Sequence, residues 1–198
     1  MQAKGERTRQ AVLEAAIRRF GQDGYRAASV ADIARDAGVG GTVAYAYFPN
    51  KEALFLAAVD EDAAGVIEEG ISLGMDREDW RASLMPTLVA AVERHPLARR
   101  LLAGLEPEVT ERVLEVPALA ELRKAIAEKL RSEQAAGDVR PDIDPVVMAN
   151  GMVAIVLSLL MAAIKVGPAV LAGYADDITA VLRAAVDAPP SRPRRSRR

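Results

Sequence analysis

The residues whose types could do chemistry are few and scattered. His95 is the sole histidine and cysteine is absent, which excludes a thiolate nucleophile, a disulfide framework and a zinc-thiolate site. No nucleophile, base and orienting group share a motif, so an enzyme is not expected, nor is any cofactor or metal. His95 precedes Pro96 where a helix should end, and its expected role is structural, near the last carbonyls. Glu106, Glu108, Glu111 and Glu115 read as a solvated face, although one carboxylate turned inward would favour a cationic ligand. Gly38, Gly40 and Gly41 are spaced loosely like a nucleotide-binding loop, but no strand precedes them and no third spaced glycine follows. The remaining chemistry is recognition of anions. Tyr45 and Tyr47 carry hydroxyls suited to phosphate or are simply packed aromatics, and Lys51 stands at a helix start, where the dipole favours an anion.

Charge is distributed to match. Residues 1–51 carry eight Lys and Arg against five Asp and Glu, residues 52–187 carry 13 against 23, and residues 188–198 carry five against none. A basic head and tail flank an acidic body, so an anionic partner is expected at the ends. The arginines at 192, 194, 195, 197 and 198 belong to a Pro- and Ser-rich segment expected to be disordered. They are either solvated or add non-specific affinity for nucleic acid through counterion release.

The elements that must position these residues are helical. Hydrophobic residues make up 51% of the 198 and aromatics only 4%, a balance favouring an all-α fold of about nine helices. Val12, Leu13, Ala16, Ile17 and Phe20 mark the buried stripe of a helix over about residues 6–22, ended by Gly21 and Gly24. Ser29 should cap a short helix, with Asp32 closing a capping box, and Gly38 should stop it. A second short helix over about 41–47 ends before Pro49. Asn50 should cap a long helix with Leu54, Phe55, Ala58, Val59, Val66 and Ile67 inside. Helices are further expected over 76–95, with an irregularity at Pro86, in short pieces over 97–116, and over 117–134. The last two are expected from Asp144-Pro145 to Val166 and from Pro168 to Asp187. The apolar run 148–164 is too short and too interrupted for a membrane span and reads as a buried or interface helix.

Two short helices joined by a glycine-containing turn form a helix-turn-helix, whose second helix lies in the major groove. The residues Val12-Leu13-Glu14-Ala15-Ala16 through Phe20, Asp23-Gly24-Tyr25, Ser29-Val30, Asp32-Ile33-Ala34, Ala37-Gly38-Val39, Tyr45-Ala46-Tyr47-Phe48 and Asn50-Lys51-Glu52-Ala53-Leu54 resemble the TetR family of bacterial transcriptional regulators. The resemblance implies a homodimer on a near-palindromic double-stranded operator, and repression relieved when a small-molecule effector binds the helical body. It implies phosphate contacts from Ser29 and Lys51 and phosphate or base contacts from Tyr45 and Tyr47, and places Val30 and Ala46 at the interface. It sets Gly40, Gly41, Thr42 and Val43 at the base-facing start of the recognition helix. There the sequence departs from the family: Gly40-Gly41-Thr42-Val43-Ala44 stands where a Ser, a variable residue, a small residue, a Thr or Ser and an apolar residue are usual. Few hydrogen-bonding side chains are left for base edges, so Thr42, Val43 and Ala46 would touch thymine methyls, with shape and phosphates supplying the rest.

The expected organisation is a DNA-binding head over 6–66, its motif at 29–48, a ligand-binding and dimerisation body over 67–187, and the tail 188–198. Trp80, Met85, Leu88, Met148 and Met152 are candidate pocket residues, since flexible thioethers suit apolar cavities. Ile155, Leu159, Ile178 and Leu182 are candidate dimerisation residues. Absent cysteine and a polar N-terminus point to a cytoplasmic protein without membrane association. The competing reading is a helical small-molecule-binding or sequestering module on the same scaffold, without sequence-specific readout.

Overall fold

The computed structural model describes residues 2–106 and 116–188, apart from the side chains of residues 2, 3, 170 and 171. The expected tail from 189 onward and Glu108, Glu111 and Glu115 lie outside the described residues. Those described form an all-α fold, with one isolated β-bridge between Val139 and Asp187.

Helix α1 (Gln2–Ala27) buries Val12, Leu13, Ala15, Ala16 and Phe20, and kinks at Gly24, whose φ of 81° suits glycine. Helix α2 (Val30–Asp36) starts at the expected cap Ser29: its Oγ accepts the Asp32 amide, and its hydroxyl donates to Asp32 Oδ2, a side-chain bond in place of the carboxylate-to-backbone half of a capping box. Gly38, at φ 71°, turns the chain into α3 (Gly41–Tyr47), which stops at Phe48 before Pro49. Asn50 Oδ1 accepts the Ala53 amide and opens α4 (Lys51–Gly70).

Beyond α4 the chain differs from expectation. A π-helical turn, Ile71–Met75, extends α4, so the following helix α5 (Trp80–Val92) begins only at the Asp79 cap. It runs unbroken through Pro86. Helix α6 (Pro96–Leu102) is followed by α7 (Ala118–Ala136), α8 (Pro145–Val166), α9 (Pro168–Ala172) and α10 (Ala175–Val186). Asp144 caps α8, its Oδ1 accepting the Val146 amide. The single final helix expected from the sequence is two, parted at Gly173 and Tyr174. Asp176 and Asp177 then occupy the first turn of α10, where carboxylates favour a new helix start.

One core runs through both ends of the molecule. α1 packs on α4 and α6, α7 on α8, and α5 on α4, α8 and α10. Phe20 meets Phe55 edge to face at 5.0 Å, and Tyr25 lies 4.8 Å from Phe55, filling the α1–α4 crossing. After α10 the chain is fastened to the α7–α8 loop, where the Arg140 amide donates to Val186 O and the Ala188 amide to Asp138 O.

Candidate nucleic-acid interface

The helix-turn-helix is rigidly footed. Ile33 and Ala34 of α2 and Ala44 of α3 are buried, and the amides of Gly38 and Val39 bond back to Arg35 O and Ala34 O. Arg19 of α1 bonds Asp36 at the end of α2 with both Nε and a terminal nitrogen, and reaches Asp23 at 3.3 Å. With its inner side fixed, α3 turns Thr42, Val43, Tyr45 and Ala46 to solvent together with Gly40 and Gly41. Tyr45 is 52% exposed and Val43 38%.

The other sequence candidates sit differently. Val30 is in the core: as the first residue of α2 its side chain packs inward while Ser29 takes the cap. The Ser29 hydroxyl proton goes to Asp32 rather than outward. Tyr47 is half-buried, its hydroxyl lying against the backbone at Gly5 of α1. Lys51 donates to Arg26 O at 3.3 Å and its ammonium stands 4.7 Å from the centroid of Tyr25. The contact at Gly5 brings the first turns of α1 beside α3, with Lys4 and Arg7 exposed there and Arg9 over the Phe48 ring at 5.4 Å. These three bases were not singled out from the sequence, although their clustering ahead of the first apolar stripe is the signal that marks them.

The head is joined to the body by buried carboxylates. Glu106, expected on a solvated face, is buried: its Oε1 accepts the Tyr25 amide at 3.1 Å and Arg100 Nε at 2.6 Å. Burial is tolerable because the charge is paired and hydrogen-bonded. His95, expected near helix carbonyls, lies instead between two carboxylates of α4, Asp62 and Glu69.

In the body a cavity of about 320 Å³ opens between α5, α8, α9 and α10. Of the pocket candidates, Trp80, Met85 and Met152 line it. Leu88 is buried elsewhere, against Gly70, and Met148, at the start of α8, is half-buried outside the cavity. Of the dimerisation candidates, Leu159, Ile178 and Leu182 also line the cavity, and only Ile155 stands on the surface. α8 is apolar on every side but for Asn150, Ser158 and Lys165, so its sequence carried little phase to say which residues turn inward. Its outer stripe of Val147, Gly151, Ala154, Ile155 and Ser158 is exposed, as is Val181 of α10. α8 is long and apolar enough to cross a membrane, and 39% of its most apolar stretch is buried in the fold.

A helix-turn-helix head packed on an all-helical body defines a helix-turn-helix transcription regulator. Residues 12–58 match the family described as bacterial regulatory proteins, tetR family. The HTH-type transcriptional repressor AcnR of Corynebacterium diphtheriae is 31% identical over 140 residues, covering 68% of this chain and 70% of that protein. The chain belongs to the TetR family. The same fold recurs in a TetR-family regulator from Mesorhizobium loti, with a TM-score of 0.71 at 20% identity over 93% of this chain and 98% of that one. It recurs again in SmeT, the repressor of the Stenotrophomonas maltophilia multidrug efflux pump SmeDEF, with a TM-score of 0.61 at 19% identity over 92% of this chain and 91% of that one.

Proposed function

We propose that this TetR-family regulator is a cytoplasmic homodimeric repressor that holds a two-fold operator with α3 and leaves it when a small molecule enters the body. The observation that carries the reading is the exposed face of α3, on a head tied to α6 through Glu106 and Tyr25. An event in the body thus has a mechanical route to the reading helix. The similarity to a repressor supports the sign of regulation. The second subunit is assigned to the outer stripe of α8 with α10, where solvent-exposed Val147, Ile155 and Val181 otherwise face water.

The effector site is assigned to the cavity bounded by Trp80, Met85, Met152, Leu159, Ile178 and Leu182. Its lining is mostly apolar, with Arg81 and Glu93 as its charged members, which favours a lipophilic molecule. The glycine-rich start of α3, which has neither charged nor amide side chains, favours the second reading, a sequestering module without sequence readout.

Selection of random duplexes by the purified protein at about 0.15 M salt, where non-specific binding is weak, separates the two. Enrichment of a two-fold symmetric motif is expected. No enrichment by folded dimers would transfer the assignment to the sequestering module. Lipophilic candidates are then scored by calorimetry, a bound effector at about 100 times its Kd adding ~2.7 kcal/mol to stability.

A further inference from the structure

Three glycines surround the start of α3, and only one has a reason inside the protein. Gly38 sits at φ 71°, which side chains rarely adopt. Gly40 has φ −71° and ψ 149°, and Gly41 is the first helical residue, so any residue would fit either backbone. A Cβ built on Gly40 or Gly41 meets nothing within 4 Å. Both glycines therefore widen the unfolded ensemble without easing any contact in the folded one. Gly40 also gives no side-chain cap, whereas Ser29, Asn50 and Asp144 cap α2, α4 and α8.

The rest of the exposed face carries only the hydroxyls of Thr42 and Tyr45 as polar side-chain groups. From Gly41 to Tyr47, α3 has no Arg, Lys, Asn, Gln, Asp or Glu. The bidentate partners that distinguish guanine and adenine are missing. Apart from the Thr42 hydroxyl, what Thr42, Val43 and Ala46 present is methyl groups on short side chains, and the apolar feature of the major groove is the thymine 5-methyl. Short side chains reach it only if the backbone comes close. The missing Cβ atoms at 40 and 41 clear that approach.

We propose that α3 reads thymine methyls at close range, with Gly40 and Gly41 as specificity-determining clearance and Thr42, Val43 and Ala46 as the reading surface. The inference rests on the DNA-binding function proposed above and adds the chemistry of the half-site.

The test uses the full-length protein and the duplex it selects, with thymines replaced one at a time by deoxyuridine, which keeps every hydrogen-bonding group and lacks only the methyl. At the positions read, affinity is expected to fall about fourfold per methyl, the equivalent of the ~0.8 kcal/mol of a buried methylene. In parallel, Gly40→Ser and Gly41→Ala are expected to keep or raise the unfolding midpoint while weakening operator binding roughly tenfold or more, the reverse of what structural glycines do. An operator bound equally well with uracil throughout, or glycine variants that bind normally, would overturn the inference while leaving DNA binding intact. Failure of the wild type to select any duplex overturns the DNA-binding reading and this one with it.

Discussion

His95 Nδ1 donates to Asp62 Oδ1 at 2.8 Å, while the other oxygen of the same carboxylate accepts the amides of Leu97 and Ala98 at 2.9 and 2.8 Å. One buried side chain of α4 thus caps α6 from outside the local sequence and holds the residue that enters it. Asp62→Ala leaves two helix-start amides and a ring nitrogen unpaired, so it is expected to cost about 3 kcal/mol, more than an ordinary neutral hydrogen bond. Urea unfolding at constant slope measures this, and a change below about 0.5 kcal/mol would show that the amides find other partners.

Gly21 is where α1 and the start of α6 cross. A Cβ there would lie 2.8 Å from Pro96 Cβ and 3.0 Å from its carbonyl carbon. Helix propensity alone would make Gly21→Ala stabilising by ~1 kcal/mol. The crossing reverses the sign, and a net loss of about 1–3 kcal/mol is expected from overpacking against backbone. Thermal melting decides between the two, since a raised Tm means that the helices part easily.

Acid should loosen the α4–α6 junction at Glu69 and the start of α2 at Asp32. Arg94, and to a lesser degree His95, hold the Glu69 carboxyl below the usual carboxylate range; the Ser29 hydroxyl and then Arg35 do the same for Asp32. A depressed folded value means that the stabilisation is present above the unfolded value of about 4 and is lost as pH falls through the folded one. Urea midpoints taken at about pH 6, 4.5 and 3.5 should drop most between the last two, and Glu69→Gln should lessen that drop. An identical profile in the variant would contradict the assignment.

Ile155→Asp and Val181→Asp place charges on surfaces 46% and 67% exposed in one chain. Helicity should survive, the mass in solution should halve, and operator affinity should fall roughly 100-fold as the two half-sites cease to be held together. Light scattering and a binding titration read both effects. Wild-type mass would place the subunit contact elsewhere.

Much of the fold was legible because its punctuation is local. Ser29, Asn50, Asp144-Pro145 and Gly38 act within a few residues of themselves, so caps and turns could be read from their own neighbours. Asp62 and Glu106 act on partners 35 and 81 residues away, so a chain read locally gives neither. Asp62 did leave a trace, a lone acid on the stripe of Ala58, Val59 and Val66. The start of α5 was misplaced because residues 71–75 continue helical with a wider turn that no composition signal marks. Leu159, Ile178 and Leu182 were assigned to the subunit contact because α8 and its neighbours are apolar enough for either face to be buried. In the single chain they turn toward α5 and line the cavity. Of the residues expected to face DNA, Tyr45 and Thr42 are exposed on α3, while the Val30 side chain, in the first turn of α2, is buried in the core.

Trp80 is the only tryptophan in the chain. It is fully buried, its indole Nε1 donates to Glu133 Oε1 at 2.7 Å, and its side chain forms part of the cavity wall. Three of the four tyrosines, Tyr25, Tyr45 and Tyr47, belong to the other end of the molecule. Fluorescence excited at the red edge of the protein spectrum therefore reports one site per chain, beside the cavity and remote from α3. A molecule entering the cavity should shift or quench that emission directly, whereas a duplex alone reaches it only by altering the body. Without any attached dye, the native protein can separate occupancy of its interior from occupancy of its reading surface.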